Sequence, residues 1–169
     1  ILALAAAACE RRMPVQFRVT VPKGRRSAPV DGRLLVILSR DDSREPRMQI
    51  TQNINTQQIF GVTVDGLAPD RAATLEAGAV GYPLSSLNDV PPGEYNVQAV
   101  LNVYETFKRK DLPVIKAAMD QWEGQKWNTK PGNLYSAPRK MWIDPATSGE
   151  IAITLDKEIP QLPYPKDTK

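Results

Sequence analysis

The chain has 169 residues, 41% apolar and 24% charged, with a net charge of +3, which suits one soluble globular domain with a core of its own. It contains no histidine and a single cysteine, Cys9, so Ser-His-Asp and Cys-His catalysis, imidazole metal sites and an internal disulfide are all excluded. Fifteen prolines against ten glycines favour turns and edge strands over helices. The basic residues lie in small scattered groups such as Arg11-Arg12, Lys23-Arg25-Arg26 and Lys108-Arg109-Lys110; against a nucleic-acid or anionic-lipid footprint, a solvated surface with interspersed acids is the favoured reading.

Taken in chain order, residues 1–9 are Ala-rich and apolar, ending in Ala6-Ala7-Ala8-Cys9. They read as the remnant of a secretory signal, or as a loose lipobox with Cys9 as the lipidated residue, and residues 1–12 are assigned to that remnant. Export is therefore expected, with membrane attachment only if Cys9 is lipidated. In residues 15–21, Val15, Phe17, Val19 and Val21 share one face, the period-two pattern of a half-buried strand. Residues 33–39 are a continuous apolar run bounded by turn signals, expected as a strand covered on both faces. Asp41 and Asp42 stand without the spaced oxygen ligands that calcium needs, so they read as a solvated turn. Phe60-Gly61-Val62-Thr63-Val64 alternates again. Residues 70–75 fit either one helical turn capped by Asp70 or a short edge strand.

The longest signal follows Pro91-Pro92-Gly93. Tyr95, Val97, Ala99, Leu101 and Val103 fall on one face, and Glu94, Asn96, Gln98 and Asn102 on the other, which predicts a central strand with one face buried and one wet. Residues 108–138 break the pattern and are expected to be largely irregular, with a short helix over 114–119; a connection this long is usually functional or disordered, and its aromatics favour order. Alternation resumes in 139–144 and 150–155, which read as a terminal hairpin. The proline-spaced tail, residues 158–169, reads as an extended linker to a further domain. Strand signals every ten to twenty residues without intervening helices predict an all-β antiparallel sandwich over residues 13–157, with one long aromatic-rich loop.

Gly93-Glu94-Tyr95-Asn96-Val97 resembles the late-strand corner of immunoglobulin-like sandwiches, in which a tyrosine hydroxyl braces nearby backbone; Gly93 and Tyr95 are the structural candidates. Residues 93–107, together with Met119-Asp120-Gln121-Trp122-Glu123-Gly124-Gln125-Lys126-Trp127-Asn128 and Lys130-Pro131-Gly132-Asn133-Leu134-Tyr135-Ser136, resemble the N-terminal immunoglobulin-like accessory domain of a group of bacterial proteins classed as esterases. The resemblance covers about residues 30–169. It implies that an α/β-hydrolase domain follows and carries the catalytic residues, so no catalytic residue, metal ligand or cofactor is expected in this chain, which has no Gly-x-Ser-x-Gly elbow. Residues 114–119 depart from the polar, histidine-containing turn of that family.

Binding chemistry has one candidate location, the aromatic segment. Trp122, Trp127 and Tyr135 are of the type that stacks on a sugar ring, with Asp120, Glu123, Asn128 and Asn133 as polar neighbours. The competing expectation is that the aromatics pin the loop to the sandwich or pack on the following domain. Asp120 and Glu123 as a glycosidase pair have no support in their spacing.

Overall fold

A computed structural model describes residues 13–118 and 126–161. The signal-like residues 1–12 with Cys9, the candidates Asp120, Trp122 and Glu123, and the tail beyond Gln161 lie outside the described residues.

The chain forms β1 (Gln16–Thr20), β2 (Val30–Ser39), β3 (Gln58–Leu67), β4 (Ala72–Leu75), β5 (Val80–Tyr82), β6 (Gly93–Val103), β7 (Glu105–Phe107), β8 (Ile115–Ala117), β9 (Leu134–Tyr135), β10 (Arg139–Ile143), β11 (Glu150–Thr154) and β12 (Lys157–Glu158). These build an all-β sandwich. A seven-stranded sheet runs β12-β9-β6-β2-β3-β5, with β10 also paired to β6, and faces a three-stranded sheet of order β11-β1-β4. Every pairing is antiparallel except β1 with β11, where Phe17 lies beside Ile151 and Val19 beside Ile153. One continuous core joins the sheets. Phe17, Val19, Leu75, Ile153 and Leu155 meet Leu34, Val36, Phe60, Val97, Leu101 and Ile143 there. At roughly 25 cal/mol per Å² of apolar surface, such side chains each contribute about 1.5–3 kcal/mol when fully buried.

The pattern-based strands at 15–21, 33–39, 60–64 and from Gly93 are all present. Ile37 is buried on the face of β2 opposite Leu34 and Val36, as its continuous apolar run requires. Residues 70–75 take the strand alternative. Ala72–Leu75 pairs with β1, while Asp70 adopts a positive φ of 59° and its carboxylate accepts the Lys23 N–H at 2.9 Å; aspartate tolerates this left-handed region. Gly81 of β5 sits where a Cβ would lie 2.5 Å from the Phe60 ring and 2.3 Å from the Leu84 carbonyl oxygen, so only glycine fits.

Three expectations are corrected. The helix expected over 114–119, of which Met119 lies outside the described residues, is absent from 114–118: Ile115–Ala117 is a strand paired antiparallel with β7. Adjacent β-branched Val114 and Ile115, placed after Pro113, favour extended backbone, and Lys116 is held in ion pairs with Asp31, 3.0 Å away, and Asp65. Residues 139–155 are not a hairpin, because β10 pairs with β6 in the large sheet and β11 with β1 in the small one. The turn between them closes through Asp144 N–H to Ser148 Oγ at 2.7 Å and Gly149 at φ 62°, which lets the chain change sheets. Finally, the polar face of β6 is not wet in its middle: Gln98 is fully buried. Paired backbone continues through Ile159, whose N–H reaches the Asn133 carbonyl at 2.9 Å.

Candidate functional site

The outer face of β6 is where the sequence candidates converge. Two distant stretches cover it, the short 3-10 turn Pro46–Met48 and residues 126–136. Gln98 joins them. Its Oε1 accepts the Arg47 N–H at 3.0 Å, and its Nε2 donates to Glu45 Oε2 at 3.1 Å and to the Ser136 carbonyl at 3.0 Å. Ser136 adds a reciprocal pair with Ala99: its Oγ accepts the Ala99 N–H and its own N–H donates to the Ala99 carbonyl, both at 3.0 Å. A buried amide of this kind is tolerated because all its polar groups are satisfied.

Asn133 plays the same part at the end of β6. It is fully buried. Its Oδ1 accepts the Val103 N–H at 2.9 Å, while Nδ2 donates to Asn102 Oδ1 at 3.0 Å and to the Trp127 carbonyl at 2.8 Å. This carboxamide is engaged inside the protein and has no donor left for a ligand. Beside it, Lys130 Nζ donates to the Val103 carbonyl at 2.9 Å. Partial burial holds the Lys130 ammonium below its ordinary range, with Glu105 pulling part of the way back.

Tyr135 is half-buried. The Arg47 guanidinium lies 4.5 Å from its ring centre and the Lys157 ammonium 5.9 Å, both within cation–π range. Arg47 also pairs with Glu45 at 2.6 Å, and it exchanges hydrogen bonds with Asn128, donating to that residue's carbonyl and accepting its Nδ2 at 3.1 Å. Partial burial raises the Glu45 carboxyl, but hydrogen bonds from Arg47 and Gln98 outweigh this and leave it below its ordinary value of 4.5. Trp127 is half-buried, and its carbonyl is held by Asn133. Trp127, Asn128, Asn133 and Tyr135 are thus brought together as one stapled ridge. Asp120, Trp122 and Glu123 cannot be placed relative to it, lying outside the described residues.

Tyr95 and Gly93 sit at the other end of β6. The Tyr95 hydroxyl donates to the Pro91 carbonyl at 2.7 Å and accepts from Arg40 Nη2 at 3.0 Å. A Cβ on Gly93 would lie 3.3 Å from that guanidinium. A shallow pocket of about 210 Å³ is lined here by Leu38, Arg40, Gln57, Leu84 and Tyr95. Asp41 accepts the Ser43 N–H, which holds its carboxyl below the ordinary range, the behaviour of a turn residue. Among the described residues no group of three acidic or cysteine side chains is placed to hold a metal ion, and no helix is long and apolar enough to cross a membrane.

Sequence reasoning missed Glu45, Arg47, Gln98 and the exposed Trp142. The one available signal was Gln98 itself, lying between Val97 and Ala99 in the middle of a strand too apolar to have a fully wet face. Comparison of the chain with protein-family models, with curated proteins and with solved structures gave no match in any of the three.

Proposed function

We propose that this chain is a non-catalytic β-sandwich accessory domain of an exported hydrolase of the esterase type, packing against its catalytic domain and shaping the entrance to that domain's active site. The observation that carries this reading is the state of the aromatic segment. Its polar groups, Asn133 above all, are engaged with the sandwich itself. What it offers outward is a rigid edge with half-buried Trp127 and Tyr135, a surface suited to packing. Ile159 is bonded to Gly132 and Asn133, so a domain following the chain would be tethered from a point beside the same ridge. The experiment is to read the coding sequence past Lys169. A following hydrolase domain, with esterase activity or thermal stability reduced by Trp127→Ala in the two-domain protein, is the expected result; a stop codon shortly after Lys169 overturns the reading.

A second reading, a free-standing carbohydrate-binding module on the cell surface, is favoured by Trp142. This indole is 65% exposed on β10, next to the Lys140–Glu94 ion pair of 3.0 Å. Quenching of tryptophan fluorescence by polysaccharide, abolished by Trp142→Ala, would support it.

A further inference from the structure

The β7–β8 hairpin stands apart from both sheets of the sandwich. Its register fixes how it faces. Thr106 lies opposite Lys116, and Phe107 opposite Ile115. Lys116 turns back to the sandwich, bonded to Asp31 and Asp65. Side chains alternate across a strand, so Phe107 and Ile115 point away from it. Beyond them the tip reads Lys108-Arg109-Lys110-Asp111-Leu112-Pro113-Val114, closed by the Leu112 N–H to the Arg109 carbonyl and by Asp111 at φ 63°.

Four of the ten exposed large apolar side chains among the described residues fall within residues 107–115: Phe107, Leu112, Val114 and Ile115, 37% to 56% exposed. Of the other six, Val80 and Tyr82 share the exposed face of the edge strand β5, and Met13, Met48, Ile54 and Trp142 are scattered, as lone surface apolar residues normally are. Lys108, Arg109 and Lys110 are exposed, with Asp111 the one acid of the tip, so residues 108–114 carry three positive charges and one negative, a net +2; among the described residues none of the three cations has a carboxylate within ion-pair distance. Four apolar side chains and three cations on one projecting element are far fewer than the roughly 20–30 residues a side of a stable protein interface. They match the boundary of an anionic bilayer, where aliphatic groups enter the acyl region and long cationic side chains reach back to the phosphates.

We propose that the β7–β8 hairpin binds the surface of anionic phospholipid membranes, with Leu112, Val114, Ile115 and Phe107 entering the interface and Lys108, Arg109 and Lys110 engaging lipid phosphates. This site does not depend on the accessory-domain reading, since it uses neither the aromatic ridge nor a following domain. Three cations and four aliphatic or aromatic groups make a reversible contact, not an anchor.

The test is sedimentation of the chain with sonicated vesicles of phosphatidylcholine alone or with 30% phosphatidylglycerol, at about 50 and 500 mM salt, where the screening length shortens severalfold. Binding is expected only with phosphatidylglycerol, weakening at least about tenfold at the higher salt. K108Q/R109Q/K110Q should weaken it roughly 100-fold. L112S/V114S/I115S should weaken it at least about tenfold. Circular dichroism melting confirms that each variant is folded. The proposal is overturned by equal binding to both vesicle types, by no binding, or by serine variants that bind like the wild type. An apolar-independent interaction that a single-stranded oligonucleotide competes away would mark the tip as a general polyanion contact, and also overturns it.

Discussion

Asn133→Ala separates a structural from a ligand-binding aromatic segment. The wild-type carboxamide makes three hydrogen bonds of 2.8 to 3.0 Å from a fully buried position. Truncation leaves the Val103 N–H without its acceptor and the Trp127 carbonyl without its donor. Asn102, Val103 and Trp127 are all half-buried, but the Asn102 side chain can turn to water while the two backbone groups are fixed, so its loss is the smallest. An unmade bond at such a fixed, partly buried group costs roughly 1–3 kcal/mol, and the two groups share one neighbourhood, so their losses do not simply add. The expected destabilisation is about 2–4 kcal/mol. For a domain of this size that lowers Tm by roughly 5–15 °C, read by urea titration at 25 °C together with a thermal melt. Asn133→Asp keeps the size and the Val103 acceptor but sets a carboxylate against the Asn102 and Trp127 oxygens, and should cost at least as much. A loss below about 0.5 kcal/mol for Asn133→Ala, the usual range for a surface substitution, would refute the assignment of this residue to the fold and return it to the candidates for ligand contact.

Three further outcomes follow from the same geometry. Tyr95→Phe removes the donor to Pro91 and the acceptor for Arg40 and should cost about 1–2 kcal/mol in urea titration, with native near-ultraviolet circular dichroism retained. Gly81→Ala drives a methyl into the Phe60 ring and the Leu84 carbonyl and should lower stability by about 3 kcal/mol, the cost of overpacking. The Glu45 carboxyl is held below 4.5 in the folded protein despite partial burial, so its contribution is complete above that value and is lost as pH falls through the lower folded one; Glu45→Gln should flatten this part of the acid limb in melts taken from pH 6 down to pH 3, and an unchanged limb would rule out the Arg47 and Gln98 contacts as its cause.

The strands that face the core were legible because their signal is local. Val15, Phe17, Val19 and Val21 alternate, and so do Tyr95, Val97, Ala99 and Leu101, and every one of these is buried. The pairing of strands was not. The segments around Met141 and Ile151 alternate and are joined by a short turn, and nothing in either shows that the chain changes sheets between them; that depends on β1 offering a free parallel edge to β11. Val114 to Ala118 lacked a clear period, and its extended state is fixed from outside by Asp31 and Asp65 acting on Lys116.

Period two states which way a side chain points, not what comes to lie over it. The polar residues of β6 therefore read as solvent-facing, and Glu94 is exposed as that reading requires. Gln98 is buried because Glu45 and Arg47 arrive from one side and Ser136 from the other, stretches some fifty residues before it and nearly forty after. A polar group can be buried at low cost only when all its partners are present, and among the described residues no buried side-chain nitrogen or oxygen lacks one. The long aromatic connection is thus not a loose loop resting on a finished sandwich; from Lys126 to Ser136 it supplies the hydrogen bonds that the middle and end of β6 require. A segment fixed in this way gives up little conformational freedom when something docks on it. A partner or sugar would therefore meet Trp127 and Tyr135 already in place, and substitutions beneath the ridge, at Asn133 or Gln98, should weaken such docking without touching the ligand.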